Sequence, residues 1–127
     1  MTLPRWLVLL ASIVLFCAGL LHIVGYSYLM PLLVKAGVEP RVLGAVKAVW
    51  FVFSVELVIL APAFVWINRR PGARSLLLFL TLIPLIDAGL MYHFVGLFIG
   101  TYMVAAGALL LLVGAWLLPR SDSRVSA

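Results

Sequence analysis

The chain has 127 residues, of which 66% are hydrophobic and 10% charged, and it carries a formal net charge of +5. Its mean hydropathy is +1.27. Soluble domains are nearer half apolar and a quarter charged, and no soluble fold of this length can bury so much apolar surface. A spanning helix needs about 20 apolar residues, so the length predicts four spans, one membrane domain and no soluble module. The arginines fall in the loops between apolar runs. They read as topology signals rather than as a nucleic-acid surface, and no nucleic-acid partner is expected. The single Cys17 lies inside an apolar run and reads as a packed thiol, with no CxxC and no intramolecular disulfide.

The first span is predicted over residues 6–26, a retained helix rather than a cleaved signal, because the apolar stretch is long and no small-x-small site follows. Its strongly polar residue is His22, near the far end, followed by Tyr26 and Tyr28. Residues 27–39 read as the longest loop. Pro31 starts one or two turns of interfacial helix there, and Gly37 stops them.

The second span is predicted over residues 40–68. Glu39-Pro40 opens it, and Asn68-Arg69-Arg70-Pro71-Gly72 closes it. Pro62 inside it predicts a kink. Lys47, Trp50 and Ser54 share one helix face. Glu56 falls on the opposite face near mid-depth, where an ionised carboxylate is costly.

The third span is predicted over residues 75–94, with Pro84, Asp87, Tyr92 and His93. A charge-free hairpin, Val95 to Gly100, connects it to the fourth span over residues 97–118, and the first loop is a candidate cover for it. Gly100, Gly107 and Gly114 recur every seven residues and predict a flat stripe for close helix contact. Residues 119–127 read as a disordered polar tail.

The fold class is therefore all-α, an integral membrane four-helix bundle. Six arginines, Arg5, Arg69, Arg70, Arg74, Arg120 and Arg124, fall on the side of both termini and the middle loop. Lys35, Arg41 and Lys47 fall on the other. The bias predicts both termini in the cytoplasm of a cell that inserts this multi-pass chain in its inner membrane. Polar residues then gather toward the outer end.

The site candidates are Glu56, Asp87, Lys47, Trp50, His22, His93, Tyr92 and Tyr102. Lys47 and Asp87 are expected to be linked, directly or through water, since their depths nearly match; the alternative for Lys47 is to snorkel to the surface. The two histidines lack a second-ligand spacing such as HxxxH. No metal, haem or other cofactor is expected, and a preparation made with excess haem should show no Soret band.

The functional expectation is a small ligand or a partner membrane protein bound at an outward-facing polar cluster. The alternatives are a proton-coupled small-molecule transporter using Glu56 or Asp87, and a small membrane enzyme, toward which nothing in the spacing leans. Besides the lipid bilayer, the expected partner is a second copy or another membrane protein. Glu56 is the reason: if Trp50 and Ser54 face the core, Glu56 faces lipid and needs a neighbour.

Overall fold

The computed structural model describes residues 2–120 as five α-helices with no strand between them. Helix α1 covers Leu3–Lys35, α2 Pro40–Asn68, α3 Ala73–Leu80, α4 Leu82–Val95 and α5 Ile99–Leu117. Helices α3 and α4 together form one span, so four helical rods are long and apolar enough to cross a membrane. The tail expected to be disordered lies, from residue 121 onward, outside the described residues.

Helix α1 packs on α2 and α5, α3 and α4 pack on α5, and α2 meets the third span mainly through α3. The core threads this ring: Val8, Leu15, Leu57, Phe64, Leu77 and Leu111 are fully buried. The outside is as apolar as the inside. Ile13, Val52, Ile59, Phe79, Ile86 and Leu109 are all exposed. A surface of this kind suits hydrocarbon, not water. Trp6, Trp66 and Trp116 are likewise exposed, at the end that holds Thr2, the α2–α3 turn and Leu118, and there they form an interfacial aromatic belt. That end is the terminal face; the opposite end, with the α1–α2 and α4–α5 connections, is the hairpin face.

Helix α1 does not stop at Tyr26. It runs through Pro31 as one helix of 33 residues, and no separate interfacial helix forms. An internal proline removes only its own N–H bond and crowds one carbonyl, a cost a long helix can absorb. The true stop is Gly37, at φ 73°. Its N–H bonds to Val34 O (3.0 Å) and that of Val38 to Leu33 O (3.2 Å), the paired 5→2 and 6→1 bonds of a glycine-terminated helix.

Helix α2 starts at once on Glu39-Pro40. As a result α1 beyond Gly25 and α2 before Trp50 extend past the α4–α5 turn as a two-helix hairpin, and between them only Met30 is buried. The first loop does not extend over the second turn.

The third span breaks at Thr81. Pro84 has no N–H to offer Leu80 O, and the Thr81 hydroxyl bonds back to Leu77 O at 2.6 Å. Beyond this break α4 has at most marginal contact with α2. The loosest seam of the ring therefore lies between α2 and α4, in the half nearer the hairpin face.

The glycine stripe on α5 serves two purposes. A Cβ at Gly107 would lie 2.7 Å from Leu15 Cγ, and one at Gly114 3.0 Å from Leu7 Cβ, so both allow α1 and α5 to touch. Gly100 instead abuts the Phe98 ring of its own turn, at 2.6 Å. A second set, not singled out in the sequence, lets α2 approach α1. A Cβ at Gly19 would meet Leu57 and Val58 at 3.1 Å, and one at Gly25 the Trp50 ring at 3.3 Å.

Candidate functional site

The glycine at position 25 leaves room for the Trp50 indole on α1. Trp50 Nε1 donates to the His22 carbonyl at 2.6 Å, and the indole stacks on the His22 imidazole with centroids 3.9 Å apart and planes 13° from parallel. The Phe53 ring lies tilted against the imidazole, with centroids 4.7 Å apart. One turn on, the fully buried Ser54 donates to Trp50 O at 2.8 Å. Its hydroxyl has one hydrogen, so at its 2.8 Å contact with His22 Nδ1 the oxygen accepts and the imidazole donates. With the Nδ1 proton assigned this way, Nε2 of the neutral ring is a lone-pair acceptor.

His22 and Trp50 form one wall of a cavity of about 220 Å³. Its other walls come from α1 (Ala18, Leu21), α4 (Met91), the hairpin residue Phe98 and α5 (Gly100, Val104). The lining is apolar apart from the imidazole. The cavity sits beside the loose α2–α4 seam, on the hairpin-face side of the core.

Glu56 and Asp87 lie one turn deeper. Phe53 and Met91 line the cavity; Glu56 follows Phe53 by three residues and Asp87 precedes Met91 by four. In antiparallel helices both offsets lead toward the terminal face, by about 5 Å. The two carboxyls are close enough to act on one another electrostatically. Asp87 Oδ2 is buried and has no hydrogen-bond partner among the described residues.

Two expectations are corrected here. Lys47 is exposed on the protruding hairpin and makes no ion pair with Asp87 among the described residues; the charged neighbour of Asp87 is Glu56. The α1–α2 hairpin carries Lys47 beyond the level of the cavity, a displacement that depth matching between straight spans does not include. Nor does Glu56 point away from the bundle. It is half-buried, and Phe53 and Leu60 on its face pack against the core. A helix in a four-membered ring has two neighbours, so Trp50 and Ser54 can face α1 while the Glu56 side faces the third span. Glu56 therefore supplies no argument for a second subunit.

A double-mutant cycle on thermal stability in mild detergent should show Glu56→Gln and Asp87→Asn coupled, within the ~0.5–3 kcal/mol typical of interacting neighbours. Lys47→Gln and Asp87→Asn should simply add. A coupled Lys47–Asp87 cycle would restore the ion pair and contradict the geometry.

Of the eight residues singled out in the sequence, four converge: His22 and Trp50 on the cavity, Glu56 and Asp87 beneath it. Lys47, Tyr92, His93 and Tyr102 are all exposed, and the His93 ring lies T-shaped against that of its neighbour Phe94, centroids 4.7 Å apart. Ser54, which orients the imidazole, and Phe98, which folds over the cavity, were not recognised as site residues. The shared face of Trp50 and Ser54 was a usable signal for the first; nothing local marks the second.

Four helices long and apolar enough to cross a membrane are those of a small multi-pass membrane protein. No family model, no curated protein and no solved structure matches the chain.

Proposed function

We propose that the protein binds a small, mainly apolar ligand in the cavity between α1, α2, α4 and α5. The ligand enters from the lipid through the α2–α4 seam and donates one hydrogen bond to His22 Nε2. The observation that carries this reading is the stacked, Ser54-anchored imidazole in an otherwise apolar cavity of about 220 Å³. An apolar cavity of ~150 Å³ accepts benzene, so a single hydroxylated ring or a short chain ending in a hydroxyl fits in size. A few placed polar groups in apolar walls are the usual composition of a ligand site.

The experiment is mass spectrometry of small molecules co-purified in mild detergent, followed by binding of a phenol series. Wild type should retain a compound of this size that Val104→Phe, which fills the cavity, does not retain. Equal retention by both would reject the site.

A second reading, proton-coupled movement of the same ligand, is favoured by the carboxyl pair one turn below. Asp87→Asn should then bind normally yet lose gradient-driven accumulation in vesicles; unchanged accumulation would reject coupling. An enzymatic reading has weaker support. Ser54 and His22 have the composition of a nucleophile and base, but Ser54 is fully buried and its hydrogen is directed at Trp50 O. Nucleophile activation needs that hydrogen to point at the imidazole.

The proposed orientation puts the terminal face in the cytoplasm and the cavity nearer the outer surface of the inner membrane. Arg5, Arg69, Arg70, Arg74 and Arg120 on the terminal face support it, against Lys35, Arg41 and Lys47 on the other. A reporter fused after Leu33 should read external; an internal reading would invert the site.

A further inference from the structure

At the terminal face a second, smaller cavity of about 90 Å³ lies between the N-terminal turn of α1, the α2–α3 turn and the end of α5. Arg5, Arg70, Arg74, Asn68 and Gly72 line it, and no acid does among the described residues. Two of the guanidinium groups are held in place. That of Arg70 lies over Trp66, 4.4 Å from the ring centroid, and that of Arg74 over Trp116 at 5.1 Å. Exposed tryptophans at the end of a span sit at headgroup depth, so the guanidinium groups stacked on them sit level with lipid phosphates.

The backbone adds donors. Gly72, at φ 72°, starts α3 with no side-chain cap, and the first-turn amides of a helix have no partner within it.

Asn68 contributes an independent observation. It is only 4% exposed; its Nδ2 donates to Arg5 O at 3.1 Å, while its buried Oδ1 has no partner among the described residues. Buried carbonyl oxygens are seldom left unbonded. An anion without a hydrogen to donate would satisfy the arginines but not this acceptor. A phosphate whose substituent carries a hydroxyl would satisfy both.

We propose that this cavity is a phosphate-binding site, and that its ligand is the phosphodiester of an anionic phospholipid with a hydroxylated headgroup. Arg5, Arg70 and Arg74 hold the phosphate, and Asn68 Oδ1 accepts from the headgroup hydroxyl. Basic pockets between membrane helices bind lipid headgroups by this charge logic.

The test is native mass spectrometry of the full chain in mild detergent, titrated separately with phosphatidylglycerol and phosphatidylcholine. Phosphatidylglycerol should bind at least tenfold more tightly. Removing one arginine should weaken it about fivefold, and R5Q/R70Q/R74Q roughly a hundredfold. K35Q/R41Q/K47Q, which removes the same charge from the hairpin face, should bind as wild type does.

Arg74 also bonds Leu118 O at 3.4 Å, so the triple variant can lose its fold. Arg5→Gln alone, at an exposed side chain, then decides. Competition with inorganic phosphate separates the sources. Displacement at millimolar concentration shows that the phosphate alone suffices. Failure to displace a lipid that the arginine variants lose shows that the lipid's remaining parts are needed. Equal affinity for the two lipids, an unchanged affinity in Arg5→Gln, or equal losses in the two triple variants would overturn the proposal.

Discussion

Replacing Gly107 with leucine is expected to separate α1 from α5 and to cost more stability than any other single glycine substitution in the chain. Even a Cβ there would lie 2.7 Å from Leu15 Cγ and 2.8 Å from Leu15 Cδ2. Leu15 is fully buried, so a whole leucine side chain at position 107 must displace it or move the helices apart. Overpacking a well-filled core typically costs about 1–3 kcal/mol, and a whole leucine side chain belongs at or beyond the top of that range.

Gly89 is the control, since a Cβ there meets nothing within 4 Å. Gly89→Leu should unfold in mild detergent at nearly the wild-type temperature. The sign of the coupling is a second check. Leu15→Ala alone should cost ~2–5 kcal/mol as a truncated core leucine. In that background Gly107→Ala should be less harmful than in wild type, because the atoms it strikes are gone. If Gly107→Leu and Gly89→Leu melt together, the α1–α5 contact is not as close as described.

The second large effect is expected at Trp50. Trp50→Ala removes the stack on His22, the 2.6 Å bond to the His22 carbonyl and one wall of the cavity. Core Phe or Trp truncations cost ~3–5 kcal/mol. Trp50 is only half-buried, which puts the expected loss near the lower end. Trp50→Phe keeps an aromatic face against the imidazole and loses the hydrogen bond, for ~1 kcal/mol. Thermal unfolding of the two variants should therefore differ clearly, with Phe close to wild type. Bound ligand should be lost from Trp50→Ala and largely retained by Trp50→Phe. Equal destabilisation by the two would make the hydrogen bond, rather than the stack, the main contribution.

Much of the architecture was legible in the residues, for reasons that act locally. Apolar runs of spanning length, Glu39-Pro40 at one helix start and Arg70-Pro71-Gly72 at one break need no tertiary information. The same is true of Gly37, which ends α1 because only glycine adopts its φ without strain. Pro31 was misread as a boundary because a proline's effect depends on whether the rest of the helix can carry one missing bond. Within the site, His22, Glu56 and Asp87 stand out by the cost of polarity in an apolar span, and Trp50 by sharing a helix face with Lys47 and Ser54; the same criteria pick Lys47, Tyr92, His93 and Tyr102, which lie exposed.

The partners of those residues were decided only in three dimensions. The pairing of His22 with Ser54, 32 positions apart, depends on the α1–α2 crossing, which Gly19 and Gly25 permit. That Glu56, rather than Lys47, is the charged neighbour of Asp87 depends on where α2 stands relative to the break at Thr81. Phe98 reaches the cavity because the turn at Gly96 sends it there. Composition and the lengths of the apolar runs determined four helices long and apolar enough to cross a membrane, since hydrocarbon selects residues one by one. Which polar group meets which was left to helix rotation and relative height, and those are set by packing between segments far apart in the chain.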